Sequence, residues 1–144
     1  MRLTDAEKTC LKAHPFITLG GGIFPPLEFF DETKGQPDGV GPDYAKLIGH
    51  MLGIKFKLVS GDWYDIQQMA KAKKIDGLRL IFKSKAREKY LIYTKPYAKI
   101  DHAIVTPTNT KGIYSLEDLS HHRVATLKGI YSYYYISSVR LRFE

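Results

Sequence analysis

The sequence predicts an α/β domain with a mostly parallel sheet. Short apolar, β-branched runs alternate with segments of helical periodicity over residues 16–82. Strand, helix, strand, helix, strand at that spacing implies crossover connections between parallel neighbours. Composition agrees: 44% of the 144 residues are hydrophobic, 12% aromatic and 26% charged, enough apolar material for a core and unlike a disordered chain.

The chain opens with a predicted helix. Thr4 caps it, Glu7 completes a capping box, Leu3, Cys10 and Leu11 form an apolar side, and His14-Pro15 ends it. Phe16–Leu19 reads as a buried strand running into Gly20-Gly21-Gly22. The stretch Phe24-Pro25-Pro26-Leu27 is a stiff loop that fixes its aromatic residue, and residues 31–41 form a polar turn. From Pro42 a helix is expected, with Tyr44, Leu47, Ile48, Met51 and Leu52 on one apolar face and Gly53 as its stop. Ile54–Val59 alternates like a strand with one wet face. Ser60 or Asp62 then caps a helix using Ile66, Met69 and Ala70. Further strands are expected at Ile75–Phe82, Tyr90–Tyr93, Tyr97–Val105 and Arg123–Leu127, a helical turn at Ser115–Leu119, and a helix within Gly129–Ser137.

Several function classes lack their residues. Gly20-Gly21-Gly22 is not followed by the Lys and Ser/Thr of a phosphate loop, and what remains is a turn or one wall of a ligand crevice at a strand end. His121-His122 are adjacent rather than four apart, so no metal site is predicted, and no Ser or Cys stands in an activated-nucleophile motif. Cys10 is the only cysteine, which excludes an internal disulfide. No apolar run is long enough to span a bilayer, and Met1–Lys12 lacks the apolar centre of a signal peptide.

The formal charge of +7 is uneven: residues 1–62 carry 7 Lys+Arg and 8 Asp+Glu, whereas residues 63–144 carry 15 and 7. Most of the lysines between Lys71 and Lys89 interleave with apolar positions as wet faces, so nucleic acid is not the expected partner. Arg87 lies just after a strand candidate, near Ser84, at a predicted helix start, where amides and a guanidinium favour an anion. On spacing alone the ordinary surface arginine is the favoured reading.

The string Asp76-Gly77-Leu78 through Ser84-Lys85-Ala86-Arg87-Glu88-Lys89-Tyr90-Leu91-Ile92-Tyr93-Thr94-Lys95-Pro96-Tyr97 resembles the family 3 extracellular solute-binding proteins, the amino-acid-binding periplasmic type. Leu3-Thr4-Asp5-Ala6-Glu7-Lys8, Phe24-Pro25-Pro26 with Glu28-Phe29, Gly39-Val40 with Asp43-Tyr44, Trp63 and Ser115-Leu116-Glu117-Asp118-Leu119 fit in the same order. The opening is similar to these domains where they serve as sensors in membrane histidine kinases. The chain departs from the pattern at Gly21-Gly22, at Leu27, at Leu78, Arg79, Leu80 and Phe82, and at Ala86.

The resemblance implies a type II periplasmic-binding-protein fold, a clamp of two α/β lobes with ligand between them. Residues 1–105 would be lobe one, 106–112 the hinge, and 113–144 the start of an incomplete lobe two, which needs roughly 80 to 100 more residues. It implies that Arg87 grips a ligand carboxylate, that Ser84 supplies a hydroxyl, that Phe24 and Trp63 line the cleft, and that Phe82 sits where the family uses a backbone amide. Gly129–Tyr131 would close over the carboxylate. The expected role is non-catalytic, without cofactor or metal: extracytoplasmic binding of a small carboxylate such as an amino acid, with lobe closure. Expected partners are that ligand, a second copy completing the missing lobe, and a membrane transporter or kinase in a longer parent. The alternative is an interaction or structural fragment that oligomerises through exposed strands and has no small-molecule ligand.

Overall fold

Helix α1, Asp5–Ala13, forms through the cap its sequence encodes: the Thr4 hydroxyl accepts from the Glu7 N–H at 3.3 Å, and the Glu7 carboxylate accepts from the Thr4 N–H at 2.7 Å. These bonds satisfy donors that every helix start leaves open. None of the α1 residues is fully buried, and of the predicted apolar side Leu3 and Leu11 are half-buried while Cys10 is exposed. The computed structural model describes residues 3–138. The chain divides into two units, Met1–Phe82 and Lys83–Glu144, a division that falls ahead of the lobe boundary expected at residue 105.

In the first unit, β1 (Phe16–Gly21) extends two residues further than expected, into the glycines. The polar stretch after the proline loop is a hairpin rather than a plain turn, with β2 (Phe29–Asp31) antiparallel to β3 (Gln36–Asp38). Its turn is held by side chains. The Asp31 carboxylate accepts from the Thr33 hydroxyl at 2.5 Å and the Thr33 N–H at 2.9 Å, while Lys34 bridges Asp31 and Asp38 at 3.1 and 2.5 Å. Helix α2 (Val40–Leu52) ends where Gly53 takes the left-handed conformation, φ 69°. Then follow β4 (Lys55–Ser60), α3 (Trp63–Lys71) capped by the Asp62 carboxylate, and the short β5 (Gly77–Leu78). The three long-range strands make a parallel sheet in the order β4-β1-β5. A parallel α/β sheet of this kind is the class the sequence predicts.

Helix α2 corrects the sequence reading. The face that packs is Gly41, Pro42, Ala45 and Gly49, whereas Tyr44, Leu47, Ile48 and Met51 are exposed, Leu47 and Met51 by 55% and 57%. The cause is close approach: a Cβ on Gly49 would lie 3.0 Å from the Ile54 carbonyl oxygen and 3.2 Å from the Phe56 ring. Only small residues fit there, so apolar periodicity points to the wrong side. Ile54, Ile66 and Ile75 fill the core of this unit, joined by Ala45.

The second unit has no assigned strand among its described residues, so the strands expected at Tyr90–Tyr93, Tyr97–Val105 and Arg123–Leu127 are absent. Around Tyr90 the backbone coils instead: the Leu91 N–H bonds the Arg87 carbonyl at 2.9 Å, and the Glu88 N–H bonds the Ser84 carbonyl at 3.1 Å. Of the Ile75–Phe82 run only Gly77 and Leu78 pair. The turn near Ser115 is a 3-10 turn, Glu117–His121, stabilised by the Asp118 carboxylate, which accepts from the N–H groups of Tyr114 and Ser115. Helix α4 spans Tyr131–Ser138.

Two outcomes test this description. Gly20→Ala places a methyl 2.5 Å from Ile75 Cδ1 and 2.9 Å from Ile66 Cγ2, so chemical denaturation should show a loss of about 1–3 kcal/mol from overpacking. The hydrogen bonds from Thr33 and Lys34 hold the Asp31 carboxyl at about 2, below the ordinary 3.8. A lowered carboxyl stabilises the fold above its ordinary value and loses that contribution as pH falls from 3.8 toward 2. Carboxyl-carbon NMR should therefore give an Asp31 midpoint near 2, with the hairpin amides shifting in the same window; a midpoint near 3.8 would contradict the bonded turn.

Candidate functional site

Parallel α/β sheets take ligands at the C-terminal ends of their strands. In the first unit that end is built from β1, β4 and the residue after β5. Register places the last of these: Leu19 pairs with Gly77 and Gly20 with Leu78, and the Arg79 N–H then bonds the Gly20 carbonyl at 3.0 Å. Arg79 is 6% exposed and Glu28 1%. The Arg79 Nε and one terminal nitrogen both donate to Glu28 Oε1, the other terminal nitrogen donates to the Leu19 carbonyl at 2.5 Å, and longer bonds reach the Val59 carbonyl at 3.3 Å and Ser60 Oγ at 3.2 Å. Burial pushes the Glu28 carboxyl above its ordinary value, and the Arg79 charge and hydrogen bonds pull it back. Glu28 Oε2 is buried and has no hydrogen-bond partner.

Gly21 makes this pair possible, because a Cβ there would run into the Glu28 carboxylate and lie 2.5 Å from the Arg79 guanidinium. Glu28 in turn closes the loop that carries the predicted aromatic residue. The Phe24 N–H bonds the Glu28 carbonyl at 2.6 Å, the Glu28 N–H bonds the Phe24 carbonyl at 3.0 Å, and the Leu27 carbonyl accepts from Gly41 at the start of α2. Phe24 is half exposed at the tip of this loop. Trp63, at the start of α3, lies over Gly22: a Cβ on that glycine would stand 3.2 Å from the indole. Phe82 is half-buried at the end of the unit.

The other predicted residues belong to the second unit. Arg87 is 4% exposed and donates to the Gly129 carbonyl at 3.0 Å, which removes the reading of an ordinary surface arginine. Its charge is felt by Tyr90 and Tyr93, whose hydroxyls burial pushes up and Arg87 draws down. Ser84, one helical turn before it, has a buried Oγ without a hydrogen-bond partner. Tyr131 stacks on Tyr135 with ring centroids 6.0 Å apart and lines a groove of about 1290 Å³ that also includes Thr106, Ser115 and Leu119 but neither Arg87 nor Ser84. The second unit thus brings Arg87 to the glycine loop, two residues before Tyr131. Among the described residues no group of three or more His, Cys, Asp or Glu side chains is placed to hold a metal ion. No helix there is long and apolar enough to cross a membrane.

The Arg79–Glu28 pair is what sequence reasoning missed. Two signals announced it: a lone arginine inside the apolar run Ile75–Phe82, and consecutive glycines at the end of a strand, which mark room for a bulky neighbour.

The comparisons fit this geometry. An ancestral arginine-binding protein is similar at 30% identity with a TM-score of 0.77, over 88% of this chain and 56% of that one. A truncated arginine-binding protein from T. maritima is similar at 26% identity and TM-score 0.75, over 94% of this chain and 65% of that one. The periplasmic domain of B. pertussis BvgS shares the fold at 21% identity and TM-score 0.63, over 67% of this chain and 19% of that one. The chain thus spans little more than half of the ancestral relative, and no curated protein matches it. The family model of the bacterial extracellular solute-binding proteins, family 3, matches residues 17–139. With that match across most of its length and a parallel β4-β1-β5 sheet, the chain belongs to the family 3 bacterial extracellular solute-binding proteins.

Proposed function

We propose that the chain is an extracytoplasmic solute-binding or sensor module for a small carboxylate such as an amino acid, acting by cleft binding and lobe closure without catalysis. The observation that carries this reading is the buried guanidinium of Arg87, one helical turn beyond the buried, unpartnered hydroxyl of Ser84. A buried arginine offers a carboxylate two parallel N–H donors in a region where water competes weakly. The Gly129 carbonyl that Arg87 now binds would yield to, or share with, the incoming carboxylate. Ser84 Oγ supplies a further donor, and Tyr131 the helix start beyond the glycine loop. Relatives support the ligand class: the ancestral arginine-binding protein is described bound to arginine and bound to glutamine. In a longer parent, a transporter or a kinase would sense the closure, and a second copy could supply the rest of the clamp.

Calorimetric titration with amino acids and small organic acids tests the proposal. A saturable heat is expected with at least one of them. Arg87→Ala should weaken it by about 10- to 150-fold, the worth of a charge-assisted hydrogen bond of roughly 1.5–3 kcal/mol, and Arg87→Lys should recover part of the loss. Absence of heat with every compound, or an Arg87→Ala variant that binds as well as the parent, would sink the reading.

A further inference from the structure

We propose that the outward face of α2 is a self-association surface, on which a second copy of the chain lays its own α2 antiparallel across a two-fold axis. The inward face is already occupied: Gly41, Pro42, Ala45 and Gly49 are buried, and α2 packs on β3 and β4. The bulky residues lie elsewhere. Val40, Tyr44, Leu47, Ile48 and Met51 recur at the spacing i, i+4, i+7, i+8, i+11, one continuous stripe of a helix. Each is exposed, from 38% at Ile48 to 57% at Met51. Between the two apolar faces runs one narrow polar flank of Asp43, Lys46 and His50. A helix that is apolar nearly all round is a buried helix, and an exposed apolar patch with a polar rim marks a contact site.

The stripe is complementary to itself, and this selects a second copy as what covers it. With the axis between Leu47 and Ile48, antiparallel helices bring Leu47 against the partner's Ile48. Tyr44 then meets the partner's Met51, a thioether on an aromatic ring. On the flank, Asp43 comes level with the partner's His50 to within two residues, about 3 Å along the helix. The two-fold axis repeats that contact. Asp43 bonds Lys46 of its own helix through Oδ1 at 3.5 Å and offers Oδ2 to the partner's His50. Asp43 stands in the first turn of α2 and His50 in the last, so antiparallel packing matches side-chain charge and helix dipole together. A parallel pair would set each charge against its own kind. Nucleic acid or an acidic membrane is a poorer fit, because the stripe itself carries no cation.

Sedimentation equilibrium of the full chain at neutral pH and low salt tests the surface. One helix pair is smaller than a standard interface of about 800 Å² per partner, so the dimer should form between about 10 μM and 1 mM. Leu47→Glu, beside the axis, should weaken it at least tenfold, about the least that burying an unpaired charge costs. Its circular dichroism and its thermal midpoint at low concentration should match the parent's, since Leu47 is 55% exposed in the single chain. Asp43→Lys should weaken the dimer about threefold or more, and adding His50→Asp should restore it. In a Cys10→Ser background, Leu47→Cys should cross-link into a covalent dimer under a mild oxidant, whereas Tyr64→Cys, exposed on α3, should not. A parent that stays monomeric to about 1 mM, a dimer that Leu47→Glu leaves intact, or equal cross-linking of the two cysteine variants overturns the surface. A dimer lost with Leu47→Glu but indifferent to the charge reversal overturns the antiparallel arrangement. None of these readouts depends on solute binding, so failure of the amino-acid titration does not touch them.

Discussion

The guanidinium of Arg79 sits where β1 and β4 end in the first unit, and bonds to both strands and to the loop before β2 pass through it. Left alone, a buried carboxylate or guanidinium would cost several kcal/mol, and removing one member of such a pair commonly costs about 3–5 kcal/mol. Together they fix how the loop carrying Phe24 leaves the sheet, since Glu28 holds Phe24 through both backbone bonds. The strand ends of this unit and the loop that carries Phe24 are therefore tied together by one interaction.

The second unit applies the same chemistry differently. There Arg87 is buried and donates to the Gly129 carbonyl at the glycine loop. Of the two buried arginines, eight positions apart, one ties strand ends to a loop and the other reaches the glycine loop.

Much of this architecture was legible in the sequence, and the reasons are local. The Thr4–Glu7 capping box, the left-handed Gly53 and the Asp62 cap each depend on a few neighbouring residues, and each stands where sequence reading placed it, Asp62 as one of two candidates. The parallel pairing of β1 and β4 followed from strand and helix alternation. What could not be read depends on distance in space. The packing face of α2 is decided by how closely Ile54 and Phe56 approach it, so its bulky apolar residues face outward. Tyr90–Tyr93 has the composition of a strand, but helical bonds from Ser84 and Arg87 claim its start. The partner of Glu28 lies 51 positions away, beyond the reach of any spacing rule. At the candidate site, Arg87 and Ser84 stood out in the sequence, whereas their burial did not.

The three-residue arrangement of Gly21, Glu28 and Arg79 also constrains how it can change through descent. A side chain at position 21 collides with the carboxylate, a lone Glu28 is a buried anion, and a lone Arg79 is a buried cation with only neutral acceptors. Single steps therefore cross a fitness valley except in a favoured order, with glycine arriving before the charges and leaving after them. A lineage that acquired the set would be held to it by epistasis rather than by selection on any one residue.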